Sequence, residues 1–202
     1  LKSGPVGVAR AHAGLPVVPS AFDRTHTSLD MPELSEPAIT TARATTDLAR
    51  VSEKLASALQ DELKRGTVVL EQRGDKLTLA LSSGELFGKG RVIMTPAGTT
   101  LVKRIGVALR KFRPQSVEVA GHTDSAKVVS PTTQERFPTN WELSTARATN
   151  VVRFLQEQGR VPGDRLIAMG FAQYRPAANN ASAEGRQQNR RVEITLQPVV
   201  QQ

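Results

Sequence analysis

Two oppositely charged residues are placed where the predicted secondary structure would bring them to one cleft. Asp124 ends the run Gly121–Asp124 directly after a predicted strand, and Arg147 lies within a predicted helix that starts near Asn140. Ligand sites gather at the carboxyl ends of strands in α/β sheets. A carboxylate accepts hydrogen bonds from an ammonium group, and a forked guanidinium donates to a carboxylate, so the pair could recognise a zwitterionic amino-acid end. The same two residues could instead form a structural salt bridge between strand and helix.

Other chemistries find little support in the residues. There is no cysteine, which excludes disulfides, thiolate metal sites and a cysteine nucleophile. The three histidines His12, His26 and His122 are too scattered to indicate a metal site. No serine, cysteine or paired-acid constellation of a hydrolase is evident. We therefore expect no enzymatic activity, no cofactor and no metal, with His122 orienting its loop.

The net charge indicates an anionic partner but does not say which kind. The 202 residues include 27 Lys and Arg against 19 Asp and Glu, a net charge of +8. This balance favours nucleic acid, an anionic membrane or a carboxylate-bearing cell-wall polymer. Because no DNA-binding motif accompanies the basic helix Lys103–Lys111, we expect a solvated face or contact with anionic wall components, and no nucleic-acid binding. Trp141 could stack on a sugar, although packing or loop support is the favoured interpretation.

The segment before the predicted domain divides into two parts. Residues 1–38 are rich in proline and predict an extended linker. Residues 39–65 predict a linker helix, capped by Thr40 or Thr41 and stopped by Gly66. Its apolar stripe either packs on the downstream domain, the favoured interpretation, or forms a dimer seam or lever. The stripe consists of Leu48, Val51, Leu55, Leu59 and Leu63.

Residues 66–202 predict one α/β domain. A hairpin around Gly74-Asp75 comes first, and amphipathic helices then alternate with strands, one helix starting at Pro96 and another covering residues 140–158. A short helix near Glu184–Asn189 precedes the last strand. This alternation predicts a two-layer sandwich, a mixed sheet with helices on one face.

Four motifs within Gly121–Ile194 carry a specific resemblance. In order they are GHTD, NWELSTARA, GFAQYRP and NASAEGRQQNRRVEI, and together they resemble the OmpA-like peptidoglycan-binding domain. The wording RFPTNWELSTARATNVVRFL, with its long insert after GHTD, is more similar to the MotB branch. Proteins of that branch are the peptidoglycan-anchoring subunits of the flagellar stator.

The resemblance implies how the site would work. Asp124 would accept the amine of the diaminopimelate residue of the peptidoglycan stem peptide, and Arg147 would pair with its carboxylate. Thr123, Asn140 and Leu143 would line the site, and either Arg190 or Arg191 would support it.

The resemblance also implies a setting. We expect a non-catalytic periplasmic domain of a single-span inner-membrane protein that anchors a flagellar stator to the wall. A homodimer and a MotA-type membrane subunit are the expected partners, the latter contacted through a transmembrane segment absent from this chain. No run in the chain approaches the apolar length of a membrane span, and the chain starts at Leu1, so we expect a fragment whose anchor is missing. Under the resemblance, residues 1–38 would be either the extended linker or a segment near the plug that follows that anchor. The alternative is an OmpA-like lipoprotein or secretion-system component that anchors another envelope machine.

Overall fold

The computed structural model describes residues 36–88, 90–110 and 115–198, so the predicted linker lies almost entirely outside the described residues. Five strands form one mixed sheet in the order β1-β2-β5-β3-β4, and every pair is antiparallel except the parallel pair β3 and β4. The predicted sandwich with helices on one face is confirmed. The strands are β1 (Val68–Arg73), β2 (Lys76–Ser82), β3 (Gln115–Gly121), β4 (Leu166–Gly170) and β5 (Arg191–Pro198). The helices are α1 (Glu36–Ala58), α2 (Gln60–Arg65), α3 (Ser83–Phe87), α4 (Pro96–Leu109), α5 (Pro131–Arg136), α6 (Asn140–Glu157) and α7 (Ala183–Asn189).

The two faces of the sheet differ in burial, because successive side chains of a strand point to opposite faces. Alternate residues of the three inner strands are fully buried against the helices, for example Leu79, Ile194 and Val119, which are paired across the sheet. Their neighbours Thr195 and Glu118 are only partly buried and lie on the opposite face. The apolar core therefore lies between the sheet and a single layer of helices.

Where the sequence predicts one linker helix, the structure has two. Helix α1 begins at Glu36, before the predicted caps at Thr40 and Thr41, and the backbone leaves helical geometry at Leu59 with φ −117° and ψ 22°. At this break Arg104 of α4 donates from Nη1 to Ala58 O at 2.9 Å and forms an ion pair with Glu62. The predicted stop at Gly66 is confirmed, because this residue adopts the left-handed conformation with φ 69°.

The apolar stripe of this segment packs on the domain. Leu48, Val51 and Leu55 are 0% exposed and belong to the same buried cluster as the sheet and helix α4. Of the two interpretations of the stripe, packing is therefore the one that the structure supports. None of the described helices is long and apolar enough to cross a membrane.

Removing one side chain of the stripe should destabilise the whole domain. We expect Leu55→Ala to lower the free energy of unfolding by about 2–5 kcal/mol, because it leaves a cavity in the shared core. Urea denaturation followed by circular dichroism measures this loss. Ser57→Ala, at an exposed position of the same helix, is the matched control. An unchanged unfolding midpoint for Leu55→Ala would show that the helix contributes nothing to the stability of the domain.

Candidate binding cleft at the end of strand β3

The segment after β3 is held on both sides by backbone hydrogen bonds. His122 N donates to Arg191 O at 2.9 Å, at the start of β5, and Thr123 N donates to Ala172 O at 2.9 Å, in the loop after β4. Thr123 and Asp124 are only 4% and 8% exposed. The carboxylate of Asp124 is therefore fixed at the carboxyl end of the strand, as the sequence predicts.

The first turn of α6 is fixed to this segment by capping and by Asn140. Thr139 caps the helix: its Oγ1 accepts from Trp141 N at 3.1 Å, and its own N donates to Glu142 Oε2 at 2.8 Å. Asn140 Nδ2 lies 2.9 Å from Ala126 O and 3.3 Å from Asp124 O. The helix start and the Asp124 segment are thus held together as one unit.

Two glycines allow α6 to lie directly on the strand ends. A Cβ atom at Gly121 would lie 2.1 Å from Ser144 O, and one at Gly170 would lie 2.1 Å from Thr145 Oγ1. No larger residue fits at either position without moving the helix. This close approach brings Leu143 and Arg147, which share one face of α6, to the mouth of the strands.

Arg147 is a buried cation with part of its hydrogen-bonding capacity unused. Its residue is 5% exposed, its Nε donates to Arg91 O at 3.0 Å, and its Cζ lies 5.5 Å from the centre of the Phe87 ring. Within the described part of the chain, its two terminal nitrogens have no hydrogen-bond acceptor. Burial lowers the pKa of Arg147 to about 10; nearby Asp124 opposes this shift and Arg190 adds to it. The group remains charged at neutral pH and can still bind an anion with both terminal nitrogens.

Asp124 is paired, but its partner is not Arg147. Asp124 Oδ2 accepts from Arg190 Nη1 at 2.6 Å, and Oδ1 accepts from Ala126 N at 3.1 Å. The structural salt bridge between Asp124 and Arg147, left open by the sequence, is not formed. The side chain of Arg190 is 44% exposed, so this pair is accessible to solvent and to ligands.

These groups line one cleft of about 1010 Å³. Its walls come from the α3–α4 connection, the end of β3, the insert before α6, and α6 itself. Six of the seven predicted site residues line it: Thr123, Asp124, Asn140, Leu143, Arg147 and Arg190.

Arg191, the seventh predicted residue, does not line the cleft. Its Nε donates to Glu193 Oε1 at 2.7 Å and its Nη2 donates to Arg175 O at 3.2 Å. Arg191 is the first residue of β5, and strand geometry places its side chain on the same sheet face as that of Glu193. Of the two arginines that the sequence left as alternatives, the structure brings only Arg190 to Asp124.

The sequence did not predict one wall of the cleft. Ser83, Gly84, Gly88 and Arg91 line it from α3 and the loop that follows. The only available signal was the pair of glycines at 88 and 90, which both have positive φ and permit a sharp change of direction. Among the described residues, no group of three or more His, Asp and Glu side chains could hold a metal ion.

His122 lies behind the cleft. It is 2% exposed, it stacks on Phe171 with ring centres 5.4 Å apart, and its Nε2 lies 3.6 Å from Glu193 Oε2. The pKa of Glu193 is lowered to about 2 because its carboxylate interacts with His122 and with Arg191. Partial burial of Glu193 opposes this shift. The packed and buried position of His122 agrees with its predicted role in orienting the loop.

The chain belongs to the OmpA family, since the model of that family matches residues 86–190, more than half of the chain. The similarity to the MotB branch is also confirmed. Motility protein B of Bacillus subtilis is 28% identical over 152 residues, which is 75% of this chain and 57% of that protein. The chain spans between about half and three fifths of the length of three curated relatives that it matches.

Two solved structures share this fold, with sequence identities of 37% and 29%. The cell-wall anchor of the type VI secretion system from Pseudomonas aeruginosa has a TM-score of 0.64 and 37% identity, covering 72% of this chain and 97% of that one. The periplasmic domain of Helicobacter pylori MotB has a TM-score of 0.59 and 29% identity, covering 66% of this chain and 80% of that one.

The glycine contact beneath α6 can be tested by stability. We expect Gly121→Ala to lower the free energy of unfolding by about 1–3 kcal/mol, because the new methyl group collides with the backbone of Ser144. Chemical denaturation measures the loss. In Gly84→Ala, the matched control, the nearest atom to the new methyl group is Ser82 Oγ at 3.8 Å, so we expect little change. Equal stability of the two variants would contradict the close approach.

The lowered pKa of Glu193 predicts acid sensitivity. A carboxyl whose folded pKa lies below its unfolded value of 4.5 stabilises the fold above that pH, and the stabilisation is lost as the pH falls toward 2. We expect Glu193→Gln to be less stable than the wild type at pH 6, with the difference shrinking between pH 4.5 and pH 2. Thermal melts across this range measure it. Glu71→Gln, which removes an exposed partner of Arg73, is the control; a constant difference for Glu193→Gln would refute the assignment.

Proposed function

We propose that this chain binds the stem peptide of peptidoglycan through a diaminopimelate residue and anchors a flagellar stator complex to the cell wall. The observation that carries the proposal is the buried Arg147, which lines the cleft near Asp124 and whose two terminal nitrogens have no hydrogen-bond acceptor among the described residues. A ligand with a carboxylate and an ammonium group on one carbon satisfies both residues at once. The work of the site is binding, and no step of catalysis is assigned to it.

Arg190 has a defined place in this proposal. In the free protein it is the salt-bridge partner of Asp124, and its side chain is half-exposed. A ligand ammonium approaching Asp124 would replace or share that contact. Arg190 would then be free to join Arg147 at the ligand carboxylate, so that Asp124, Arg147 and Arg190 would each have a partner of opposite charge.

The expected affinity is modest for a single site. Hydrogen bonds to charged groups contribute about 1.5–3 kcal/mol each, and association costs consume part of this. A homodimer bound to one polymer would hold more firmly, because the second contact becomes intramolecular. We therefore include a homodimer in the proposal, and the similarity to MotB proteins adds a MotA-type membrane partner.

The similarity to Motility protein B and to the H. pylori MotB periplasmic domain supports the stator and a periplasmic location at the inner membrane. A second candidate is an anchor for a secretion system, which the higher identity to the P. aeruginosa type VI anchor favours. Both candidates use the same cleft. A substitution in the chromosomal gene distinguishes the two candidates. Arg147→Ala in the full-length protein should abolish swimming if the protein anchors a stator, and secretion if it anchors a secretion system.

Co-sedimentation with purified peptidoglycan sacculi tests the binding proposal. We expect Asp124→Asn and Arg147→Lys each to weaken binding roughly tenfold or more, because each removes a charge-assisted or forked contact. Free diaminopimelate should compete with the wild type. Arg153→Lys, on the exposed part of the same helix, is the control and should bind normally.

Two outcomes of this co-sedimentation assay would contradict the binding proposal. Wild-type binding that survives both substitutions would remove the cleft as the wall site. Loss of binding in Arg153→Lys as well, although this change keeps the charge, would point to a disturbance of the helix and not to recognition of a stem peptide by the cleft.

A further inference from the structure

The only tryptophan and the only tyrosine of the chain lie against each other on the surface. Trp141 and Tyr174 stack with ring centres 5.3 Å apart at an angle of 27°. They are 47% and 64% exposed, whereas Phe87 is fully buried. Large aromatic side chains contribute most to stability when buried, so an exposed stacked pair indicates an interaction surface. The stacking on Tyr174 accounts for one face of the Trp141 ring, and nearly half of the residue remains exposed.

This aromatic platform, Trp141 with Tyr174, lies beside the cleft. Asn140, which lines the cleft, precedes Trp141, and Gln173 precedes Tyr174. Asn140 Nδ2 lies 3.2 Å from Gln173 Oε1, which joins the two segments. Gln173 Nε2 has no hydrogen-bond partner among the described residues and is available to a ligand. The platform is therefore an extension of the cleft, with an amide donor at the junction.

The chemistry of the platform differs from that of the cleft. The cleft presents charged groups, while the platform presents two flat neutral rings and an amide. Sites of this kind bind ligands that combine an apolar face with polar edges. A pyranose ring has this character, since its C–H face stacks on aromatic rings while its hydroxyl and N-acetyl groups accept hydrogen bonds.

The spacing agrees with the polymer proposed for the cleft. Arg147 follows Trp141 by six positions on α6, a rise of about 9 Å along the helix axis with the two side chains about 120° apart around it. In peptidoglycan two residues separate diaminopimelate from the lactyl group of the muramic sugar, and they extend by roughly 7 Å. The two lengths are of the same order, so a stem peptide held at Arg147 would place its own sugar near Trp141.

We propose that Trp141 and Tyr174, with Gln173, bind a sugar ring of the glycan strand, so that the wall site has a saccharide subsite next to its peptide subsite. This inference rests on the proposed function, because the peptide in the cleft is what brings the sugar to the platform. It also makes a separate claim, which is that sugar without peptide binds at the same rings.

Three ligands separate the two claims: a disaccharide–tripeptide, the same tripeptide without sugar, and glycan strands stripped of peptide. We expect Trp141→Leu and Tyr174→Leu to weaken binding of the disaccharide–tripeptide about three- to tenfold, the scale of a ring-stacking contact. Their affinity for the tripeptide alone should be unchanged. Trp141→Phe, which keeps a ring, should retain most of the affinity. Val69→Ala, which shortens an exposed apolar side chain on β1, is the control. Calorimetry measures the affinities, and circular dichroism checks the fold.

Trp141 also reports directly, because no other tryptophan contributes to the emission. Peptide-free glycan should shift its fluorescence, and the tripeptide alone should not. Equal losses for both peptide ligands in Trp141→Leu, or no loss for either, would overturn the saccharide subsite, as would an emission spectrum unaffected by glycan. If the wild type binds glycan at Trp141 but not the tripeptide, the subsite stands and the proposed function fails.

Discussion

Helix α6 reaches the ends of β3 and β4 only because glycine occupies positions 121 and 170. A side chain at either position would collide with Ser144 or Thr145 and raise the helix from the sheet. That contact determines where the guanidinium of Arg147 lies, and so whether it faces the same cleft as Asp124. The capping of α6 by Thr139 and the hydrogen bonds of Asn140 then fix the start of the helix in the same place.

Burial sets the electrostatic character of the cleft. Arg147 is desolvated, which lowers its pKa, yet among the described residues its guanidinium has one hydrogen-bond acceptor, Arg91 O. A buried charge without full compensation is costly, and an anionic ligand removes that cost. Asp124 is balanced by Arg190, which is exposed enough to change partner. The cleft is therefore organised in the free protein, and part of the hydrogen-bonding capacity of Arg147 is unused in it.

The packing of helix α1 shows that part of the predicted linker helix belongs to the core of the domain. Its apolar stripe predicts a helix with one buried face, but a stripe alone does not say what covers it. In the structure Leu48, Val51 and Leu55 complete the core of the domain, and Arg104 pairs with Glu62 at the bend near Leu59. The domain thus includes residues that the sequence assigns to a linker helix, while the boundary at residue 38 remains a prediction.

The sequence by itself determined the elements that local rules govern. The Gly74-Asp75 turn, the stop at Gly66, the proline start of α4 and the alternation of β5 all follow from backbone preferences and periodicity, and these predictions were confirmed. The motifs also led to the family and to six residues of the cleft. Where the sequence reasoning was incomplete, the missing information was spatial.

Only the tertiary structure decided which charged groups meet. It paired Asp124 with Arg190 and left Arg147 open, it turned Arg191 to the other sheet face, and it supplied the cleft wall from α3 and its loop. It also brought Trp141 to Tyr174, which stands 33 residues later in the chain. Local periodicity carries no information on such contacts, because they depend on how distant segments of the chain pack against one another.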